Sequence, residues 1–236
     1  MHTSLLDLLL PDTCIQCLAT TLTREKHLCC EHCWASLTRI ENPCLHCARE
    51  LPDGDICGAC LTHPLSVGRA VIPFAYRDEA MQLVSALKFQ NNFRAARTLA
   101  HGIVEQVEAL YPAEQLPEAI VPTPLSWRRH VIRGYNQTER LADEISNALD
   151  VPIKHLLRRK HGPTQHDSTR ATRQSLPMSA FSSKGTCPSH IALIDDVVTT
   201  GTTMRVMAKV CQRAGARRVD LWAACRTPES HASSGR

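Results

Sequence analysis

The sequence predicts an α/β domain with a mainly parallel sheet, preceded by a small cysteine-rich domain. Nine of the twelve cysteines lie between residues 14 and 60, and from residue 69 onward short apolar runs alternate with segments of helical periodicity. The composition changes at a segment that contains Pro64, Ser66 and Gly68, residue types that are common in linkers. We therefore expect one domain over residues 1–65 and a second over residues 66–236.

Four Cys-x-x-Cys pairs occupy the first domain: Cys14 and Cys17, Cys30 and Cys33, Cys44 and Cys47, and Cys57 and Cys60. The two-residue spacing lets both thiolates of a pair bind one ion, and two pairs complete a tetrahedral zinc site. The eight cysteines thus predict two structural zinc ions with no open position for catalysis. Sequential pairing is the simplest arrangement, although the spacing also permits an interleaved one, and Cys29 could replace Cys30.

The second domain begins with a predicted strand over residues 70–76, followed by helices over residues 78–89 and 92–110. The second helix has one apolar face, which is made of Phe93, Ala96, Leu99, Ile103, Val107 and Leu110. A buried strand is predicted over residues 119–123 because this run is apolar. The order of these elements is that of βα units.

A helix over residues 136–149 follows, and Asn136 with Glu139 forms a pair typical of a helix start. Residues 158–174 are polar, basic and without periodicity, which predicts a long loop. The predicted elements after this loop are a strand over 191–194, a helix over 202–214 and a strand over 218–225.

The chain carries a net charge of +4, which is too small to indicate a nucleic-acid-binding protein by itself. The basic residues concentrate between residues 154 and 173, where they leave a local net charge of +5. The candidate contacts for DNA or pyrophosphate in this segment are Arg158, Arg159, Lys160, Arg170 and Arg173. The segment could close over a diphosphate, follow a nucleic-acid backbone or be a merely solvated loop.

The sequence contains no run of about 18 apolar residues that would predict a membrane span. The leucine-rich start, Ser4 to Leu10, is short, includes Asp7 and lacks the basic flank of a secretory signal. We therefore expect a cytoplasmic protein, in which clustered cysteines favour metal binding over disulfides.

The most specific segment is Ile191-Ala-Leu-Ile-Asp-Asp-Val-Val-Thr-Thr-Gly-Thr-Thr203. A buried strand ends in two carboxylates, and a threonine- and glycine-rich loop then opens a helix. Backbone N–H groups at a helix start bind anions, whereas carboxylates suit hydroxyl groups or a hydrated Mg²⁺. The pattern predicts a ligand that combines a phosphate with vicinal hydroxyls.

This segment resembles the fingerprint of the type I phosphoribosyltransferases, and the resemblance implies their fold for the second domain. It implies that Asp195 and Asp196 contact the ribose hydroxyls of 5-phosphoribosyl-1-pyrophosphate (PRPP), which binds with Mg²⁺. It also implies that Thr199, Thr200, Gly201, Thr202 and Thr203 hold the 5-phosphate.

The same resemblance implies that the strand over residues 119–123 leads into a loop that binds pyrophosphate. Thr123, Arg129, Arg133 and Gly134 are then candidates for diphosphate contact, since a guanidinium donates two hydrogen bonds to one phosphate. If the protein is an enzyme, the residues expected to be catalytic are Asp195, Asp196, Arg129 and Arg133.

The whole chain resembles the ComF/GntX family. The motifs are the cysteine pairs, Val-Pro-Thr-Pro-Leu at 121–125, Arg129-x-x-x-Arg133-Gly-Tyr-Asn-Gln137, Thr164-Gln165 and the acidic pair. After Thr-Gln the family pattern has Leu, Arg, Asn and Phe, whereas this chain has Ser168, Arg173, Leu176 and Phe181. The arginine and phenylalanine match, and the leucine and asparagine do not.

The ComF/GntX resemblance implies a role in natural competence, with cytoplasmic handling of incoming single-stranded DNA. Expected partners are PRPP or a nucleotide, single-stranded DNA and a DNA-uptake helicase or single-strand-handling protein. Three classes stay open: a phosphoribosyltransferase, a protein that binds PRPP or a nucleotide without transfer, and an adaptor that docks partners through its zinc ribbons. The acceptor substrate is not readable from the sequence.

Overall fold

The structure is a computed structural model that describes residues 12–21, 28–125, 134–159 and 176–228. In the cysteine-rich part, β1 (Asp12–Thr13) pairs antiparallel with β2 (Thr20–Thr21). Helices α1 (Glu31–Ala35) and α2 (Gly58–Thr62) each begin directly after a cysteine, and that cysteine sulfur accepts a hydrogen bond from the helix backbone. The two halves of this part therefore repeat the same local design.

The remaining elements alternate between strand and helix. They are β3 (Ala70–Val71), β4 (Phe74–Ala75), α3 (Asp78–Phe89), α4 (Phe93–Leu110), β5 (Ala119–Pro122), α5 (Gln137–Leu149), β6 (Leu157–Arg159), β7 (Phe181–Ser183), β8 (His190–Val198), α6 (Thr202–Arg213) and β9 (Arg218–Arg226). Asn136 caps α5 by accepting a hydrogen bond from the Thr138 N–H, as expected from the sequence.

One parallel sheet forms the centre of the described chain, in the order β3, β9, β8 and β5, with β4 also paired to β9. This arrangement confirms the mainly parallel α/β fold behind a cysteine-rich region. Side chains alternate between the faces of β8: Leu193 packs with α6 and the second cysteine group, whereas Ile194 packs with α3, α4 and α5. The sheet is thus covered on both sides, as parallel sheets require.

The predicted strand over residues 70–76 is interrupted. Ala70 lies opposite Leu221 and Phe74 opposite Cys225, so β3 and β4 keep one register along β9 although Ile72 and Pro73 separate them. Proline has no N–H to donate to a ladder, which explains why pairing stops there.

The free edge of β4 is covered by the segment that joins the two cysteine groups. The Ala75 N–H donates to the Thr38 carbonyl at 2.9 Å, and the Ile40 N–H donates to the Pro73 carbonyl at 3.1 Å. Because an open sheet edge exposes unpaired backbone groups, this segment protects the sheet. The same segment also connects the first cysteine group, on one face of the sheet, to the second group on the other face.

Two further expectations differ from the structure. Arg158 and Arg159 lie in β6, which pairs antiparallel with β7, so the predicted loop over 158–174 begins later than expected; residues 160–175 lie outside the described chain. Phe93 and Leu110 are 51% and 41% exposed, because they lie at the two ends of α4, beyond the part that faces the sheet.

Asp220 anchors the amino-terminal end of the sheet. Its carboxylate is fully buried. It accepts hydrogen bonds from the Arg69 N–H at 2.9 Å, the Tyr111 hydroxyl at 2.9 Å and the Arg218 guanidinium at 3.1 Å, and it lies 2.8 Å from His190 Nε2. These four residues come from the starts of β3, β8 and β9 and the end of α4. One charge therefore ties four elements together.

Replacing Asp220 by Asn should destabilise the protein by about 1.5–3 kcal/mol, because the donors around it lose their charged acceptor. Burial alone would raise the pKa of Asp220, but the bonds from His190, Arg218 and Tyr111 hold this pKa below its usual value. The Asp220 contribution should therefore be complete above about pH 4 and fall as the pH drops through the lower folded value. Urea unfolding at several pH values tests this.

The control for Asp220 is Asp143, whose side chain is 53% exposed and lies 4.0 Å from Arg140. Asp143→Asn should change the free energy of unfolding by less than about 0.5 kcal/mol. Equal effects of the two substitutions would contradict the anchoring role of Asp220.

Candidate functional site

The eight predicted cysteine ligands form two groups. The sulfur atoms of Cys14, Cys17, Cys30 and Cys33 lie within 4.8 Å of one another, and so do those of Cys44, Cys47, Cys57 and Cys60. The pairing is therefore sequential, and the interleaved alternative does not occur. The twelve cysteines all fall in the described chain and are all free of disulfides.

The sulfur spacing fits zinc. Four thiolates at about 2.3 Å from a tetrahedral ion lie about 3.8 Å apart. The Cys17 and Cys30 sulfurs are 3.8 Å apart, and those of Cys47 and Cys57 are 3.7 Å apart. Both groups thus fit structural zinc sites whose four positions are filled by protein.

In each group, backbone N–H donors lower the pKa of one cysteine. Burial raises the pKa of Cys14 and Cys44, but donated N–H groups outweigh it and lower the pKa to about 6 and about 7. The donors include the Gln16 N–H to Cys14 and the Cys57 N–H to Cys44. Since zinc binds thiolates, we expect these two cysteines to be the first in their groups to bind a metal ion.

Cys29 lies outside both groups of ligands. It is buried, and burial together with the neighbouring Cys14 raises its pKa to about 12. Cys30 belongs to the first group and caps α1. The structure therefore assigns the third ligand of this group to Cys30.

The acidic pair lies within β8, whose last residue is Val198. Because successive side chains of a strand point to opposite faces, Asp195 and Asp196 cannot share one face of the sheet. Asp196 is 5% exposed and Asp195 is half-buried. The structure therefore gives the two carboxylates different surroundings, which the sequence alone did not indicate.

Asp196 lies on the face covered by α3 and α5. Its Oδ2 atom accepts a hydrogen bond from Gln137 Nε2 at 3.0 Å and lies 3.2 Å from Lys88 Nζ, while Oδ1 accepts the Val197 N–H at 2.7 Å. A cation and two N–H donors around one carboxylate form short, charge-assisted contacts that fix its position. Lys88 and Gln137 are thus part of this site.

Sequence reasoning missed Lys88. It is the second-last residue of α3, far along the chain from Asp196, and no motif connects the two. The only available signal was its position at the carboxyl end of a helix that follows a strand. Gln137 is the last residue of the Arg129-to-Gln137 motif, and in the structure its side chain donates to Asp196.

The loop at residues 199–203 connects β8 to α6. Thr199 and Thr200 are exposed, and Thr202 and Thr203 are half-buried. The Thr200 and Thr202 hydroxyls lie 2.9 Å apart. Backbone N–H groups at the start of α6 and these hydroxyls together offer the donors that an anion requires.

Gly201 shapes this loop. Its φ of +75° is in the left-handed region, and a Cβ there would come within 3.3 Å of the Leu65 side chain. Glycine meets both requirements because it has no Cβ. Gly201 also leaves the start of α6 without a side-chain cap.

Thr123 follows β5 and is already bonded within the fold. Its hydroxyl donates to the Ile194 carbonyl at 2.7 Å. Its own carbonyl accepts from Asn136 Nδ2 at 3.1 Å and from the Thr138 hydroxyl at 2.8 Å. Thr123 thus fixes the end of β5 against β8 and the start of α5.

The other predicted basic contacts divide into two groups. Arg158 and Arg159 lie in β6, where the Arg159 guanidinium lies over the Phe181 ring at 5.5 Å. The remaining predicted residues lie outside the described chain: Arg129, Arg133, Lys160, Arg170 and Arg173. Within the described residues, no helix is long and apolar enough to cross a membrane.

We expect the purified protein to hold two zinc ions per chain, measured by mass spectrometry of metals. Cys44→Ser should remove about one ion, because the second group then has three ligands. Cys187→Ser serves as the control, since Cys187 is buried but belongs to neither group. Full occupancy in Cys44→Ser would contradict the assigned ligands, and so would a loss in Cys187→Ser.

Comparison with known proteins matches both parts of the chain. Residues 5–61 match the family described as Double zinc ribbon domain. Competence protein F of Haemophilus influenzae is 34% identical over 222 residues, which cover 90% of this chain and 96% of that protein. The DNA utilization protein YhgH of Escherichia coli (strain K12) is 33% identical over 178 residues, covering 72% of this chain and 78% of that protein.

Among solved structures, the purine phosphoribosyltransferase from Pyrococcus horikoshii is similar over 61% of this chain and 96% of that chain, with a TM-score of 0.35 and 15% identity. The adenine phosphoribosyltransferase from Leishmania tarentolae is similar over 59% of each chain, with a TM-score of 0.36 and 18% identity. Similarity at this level carries no conclusion about chemistry.

The sequence relatives are more informative than the solved structures. Competence protein F is matched along almost its whole length, and the match spans both the cysteine groups and the parallel sheet. Identity of 34% at this coverage is sufficient to establish common descent, and the chain therefore belongs to the ComF family.

Proposed function

We propose that this protein acts in natural competence, in the cytoplasmic handling of incoming single-stranded DNA, and that it binds PRPP with Mg²⁺ at the carboxyl end of β8. One observation carries the PRPP part of the proposal. A buried strand carries two carboxylates near its carboxyl end, and the glycine turn after this strand opens a helix that has no side-chain cap among the described residues. Relatives named for competence and DNA utilization support the cellular role.

In this proposal the 5-phosphate binds at residues 199–203. The phosphate would accept hydrogen bonds from the backbone at the start of α6 and from the hydroxyls of Thr199, Thr200, Thr202 and Thr203. Gly201 lets the backbone come close to the ligand because it has no side chain.

Asp195 and Asp196 receive the ribose hydroxyls. An ionised carboxylate has about four acceptor positions, and within the described chain Asp196 uses three of them for Lys88, Gln137 and the Val197 N–H. One position is thus left for a hydroxyl. Asp195 is the more exposed carboxylate, so we expect it to contribute more than Asp196 to the affinity for PRPP.

The diphosphate lies toward the end of β5 in this proposal. Arg129 and Arg133 would bind it together with Mg²⁺, while Thr123 holds the strand end in place through its bond to Ile194. If transfer occurs, a nucleophile attacks C1 of PRPP and pyrophosphate leaves. The protein would then contribute positioning and charge stabilisation.

Asp195→Asn should weaken Mg²⁺-dependent PRPP binding at least tenfold, since a hydrogen bond to a charged group contributes about 1.5–3 kcal/mol. Isothermal titration of the zinc-loaded protein measures this effect. The exposed Asp143→Asn is the control and should bind like the unchanged protein. Unchanged affinity in Asp195→Asn, or no binding of PRPP at all, would contradict the proposed site.

The basic segment around β6 supports the DNA part of the proposal. Replacing Arg158, Arg159 and Lys160 together by alanine should weaken binding of single-stranded DNA and flatten its salt dependence. Each lost phosphate contact should reduce the slope of log K against log salt by about 0.7. Fluorescence anisotropy across a salt series measures both effects.

A variant with three other basic residues replaced by alanine is the matched control for DNA binding. Lys209, Arg213 and Arg217 are all exposed, and their removal lowers the net charge equally. Equal losses of affinity in the two variants would show a general charge effect and would contradict a binding segment at β6.

A further inference from the structure

A cavity of about 560 Å³ opens between the second cysteine group and the carboxyl ends of two strands. Residues 48–52 form one wall, and Ala75, Arg77 and residues 226–228 form the other. Small-molecule sites have volumes of about 300–1,000 Å³. The cavity is therefore large enough for a ligand of nucleotide size.

The cavity is strongly basic. Among the described residues, three arginines, Arg49, Arg77 and Arg226, line it against a single acid, Glu50. A planar guanidinium matches the oxygens of a phosphate or carboxylate. The charge of the lining thus selects an anion.

Buried polar atoms in this lining lack partners. Arg226 is 6% exposed, and its Nη1 atom is buried without a hydrogen-bond partner among the described residues. The Thr227 hydroxyl next to it is buried and has no partner in that same part of the chain. A buried donor without an acceptor is destabilising, and more so when it is charged, so a ligand that supplies acceptor oxygens would offset this cost.

The rest of the lining is apolar. Ile40, Leu51, Pro52 and Ala75 contribute side chains that have no polar atoms. Such a surface suits a flat ring, while the arginines suit an anionic group. The combination fits an organic phosphate with a flat apolar part better than it fits a bare anion.

We propose that this cavity binds a nucleoside monophosphate, with Arg77 and Arg226 on the phosphate and the base against Leu51 and Ile40. The ligand is either a free nucleotide or the 5′-terminal nucleotide of a single strand, because both present the same chemistry. The site neighbours the loop after β8, since the Thr227 N–H donates to the Val198 carbonyl at 3.0 Å. It does not depend on PRPP binding.

Titration calorimetry of the full zinc-loaded chain with dTMP tests the proposal. Binding of dTMP should be at least tenfold tighter than binding of thymidine or of inorganic phosphate. Arg77→Gln should weaken dTMP binding at least tenfold, and because Arg77 is exposed this variant should keep its fold. Arg217→Gln, which removes an exposed arginine at the opposite end of the sheet, should have no effect.

Several results would overturn the proposal. They are the absence of dTMP binding, equal binding of thymidine or phosphate, and full affinity in Arg77→Gln. Loss of dTMP binding in Asp195→Asn would place the nucleotide in the loop after β8 and would also overturn it. Failure of PRPP binding, in contrast, leaves dTMP binding by this cavity unchanged, so the two proposals fail separately.

Binding of oligonucleotides distinguishes a free nucleotide from the 5′-terminal nucleotide of a strand. A 5′-phosphorylated thymidine oligomer that binds more tightly than its unphosphorylated form, with a difference abolished in Arg77→Gln, supports a strand end. Binding of dTMP without any effect of the 5′-phosphate on the oligomer supports a free nucleotide.

Discussion

Metal binding by the second cysteine group is the interaction on which one face of the sheet depends. Cys44, Cys47, Cys57 and Cys60 share an apolar cluster with residues of β8, β9 and α6, and the Ala70 N–H donates to the Leu45 carbonyl at 2.6 Å. This cysteine group is therefore built into the core of the α/β part. Burial raises the pKa of Cys47 to about 11 and raises that of Cys60 as well, so a bound cation would be needed to keep these thiols ionised.

The amino-terminal and carboxyl ends of the sheet differ in how their polar groups are used. At the amino-terminal end, Asp220 has a full set of partners and fixes four elements. At the carboxyl end, charged and hydroxyl groups line the loop after β8, and Arg226 carries a buried N–H that has no partner in the part of the chain that the structure describes. Ligands of open parallel sheets bind at the carboxyl ends of strands. A rigid opposite end helps these groups to keep their positions.

Local signals explain which features could be predicted from the sequence. The bounds of α3 and α6, the cap at Asn136 and the four Cys-x-x-Cys pairs follow from periodicity and spacing over a few residues. The spacing left the grouping of these pairs into two sites open, and the structure shows it to be sequential. Contacts between distant segments could not be predicted: Lys88 with Asp196, Arg226 with the cavity, and the pairing of β6 with β7. Pro73 is visible in the sequence as a residue that interrupts a strand. The apolar residues around it nevertheless led to the prediction of one continuous strand.

The strand order has a consequence for how the protein is made. The strand β9 follows every other described element in the chain, yet it lies in the interior of the sheet between β3 and β8. During synthesis on the ribosome the amino-terminal cysteine groups emerge first and contain their own ligands, so they can fold early. The sheet cannot close until β9 has emerged, and until then β3 and β8 expose apolar edges that favour association with other chains. Slow translation of the last segment or its truncation would therefore produce aggregation rather than a smaller folded protein.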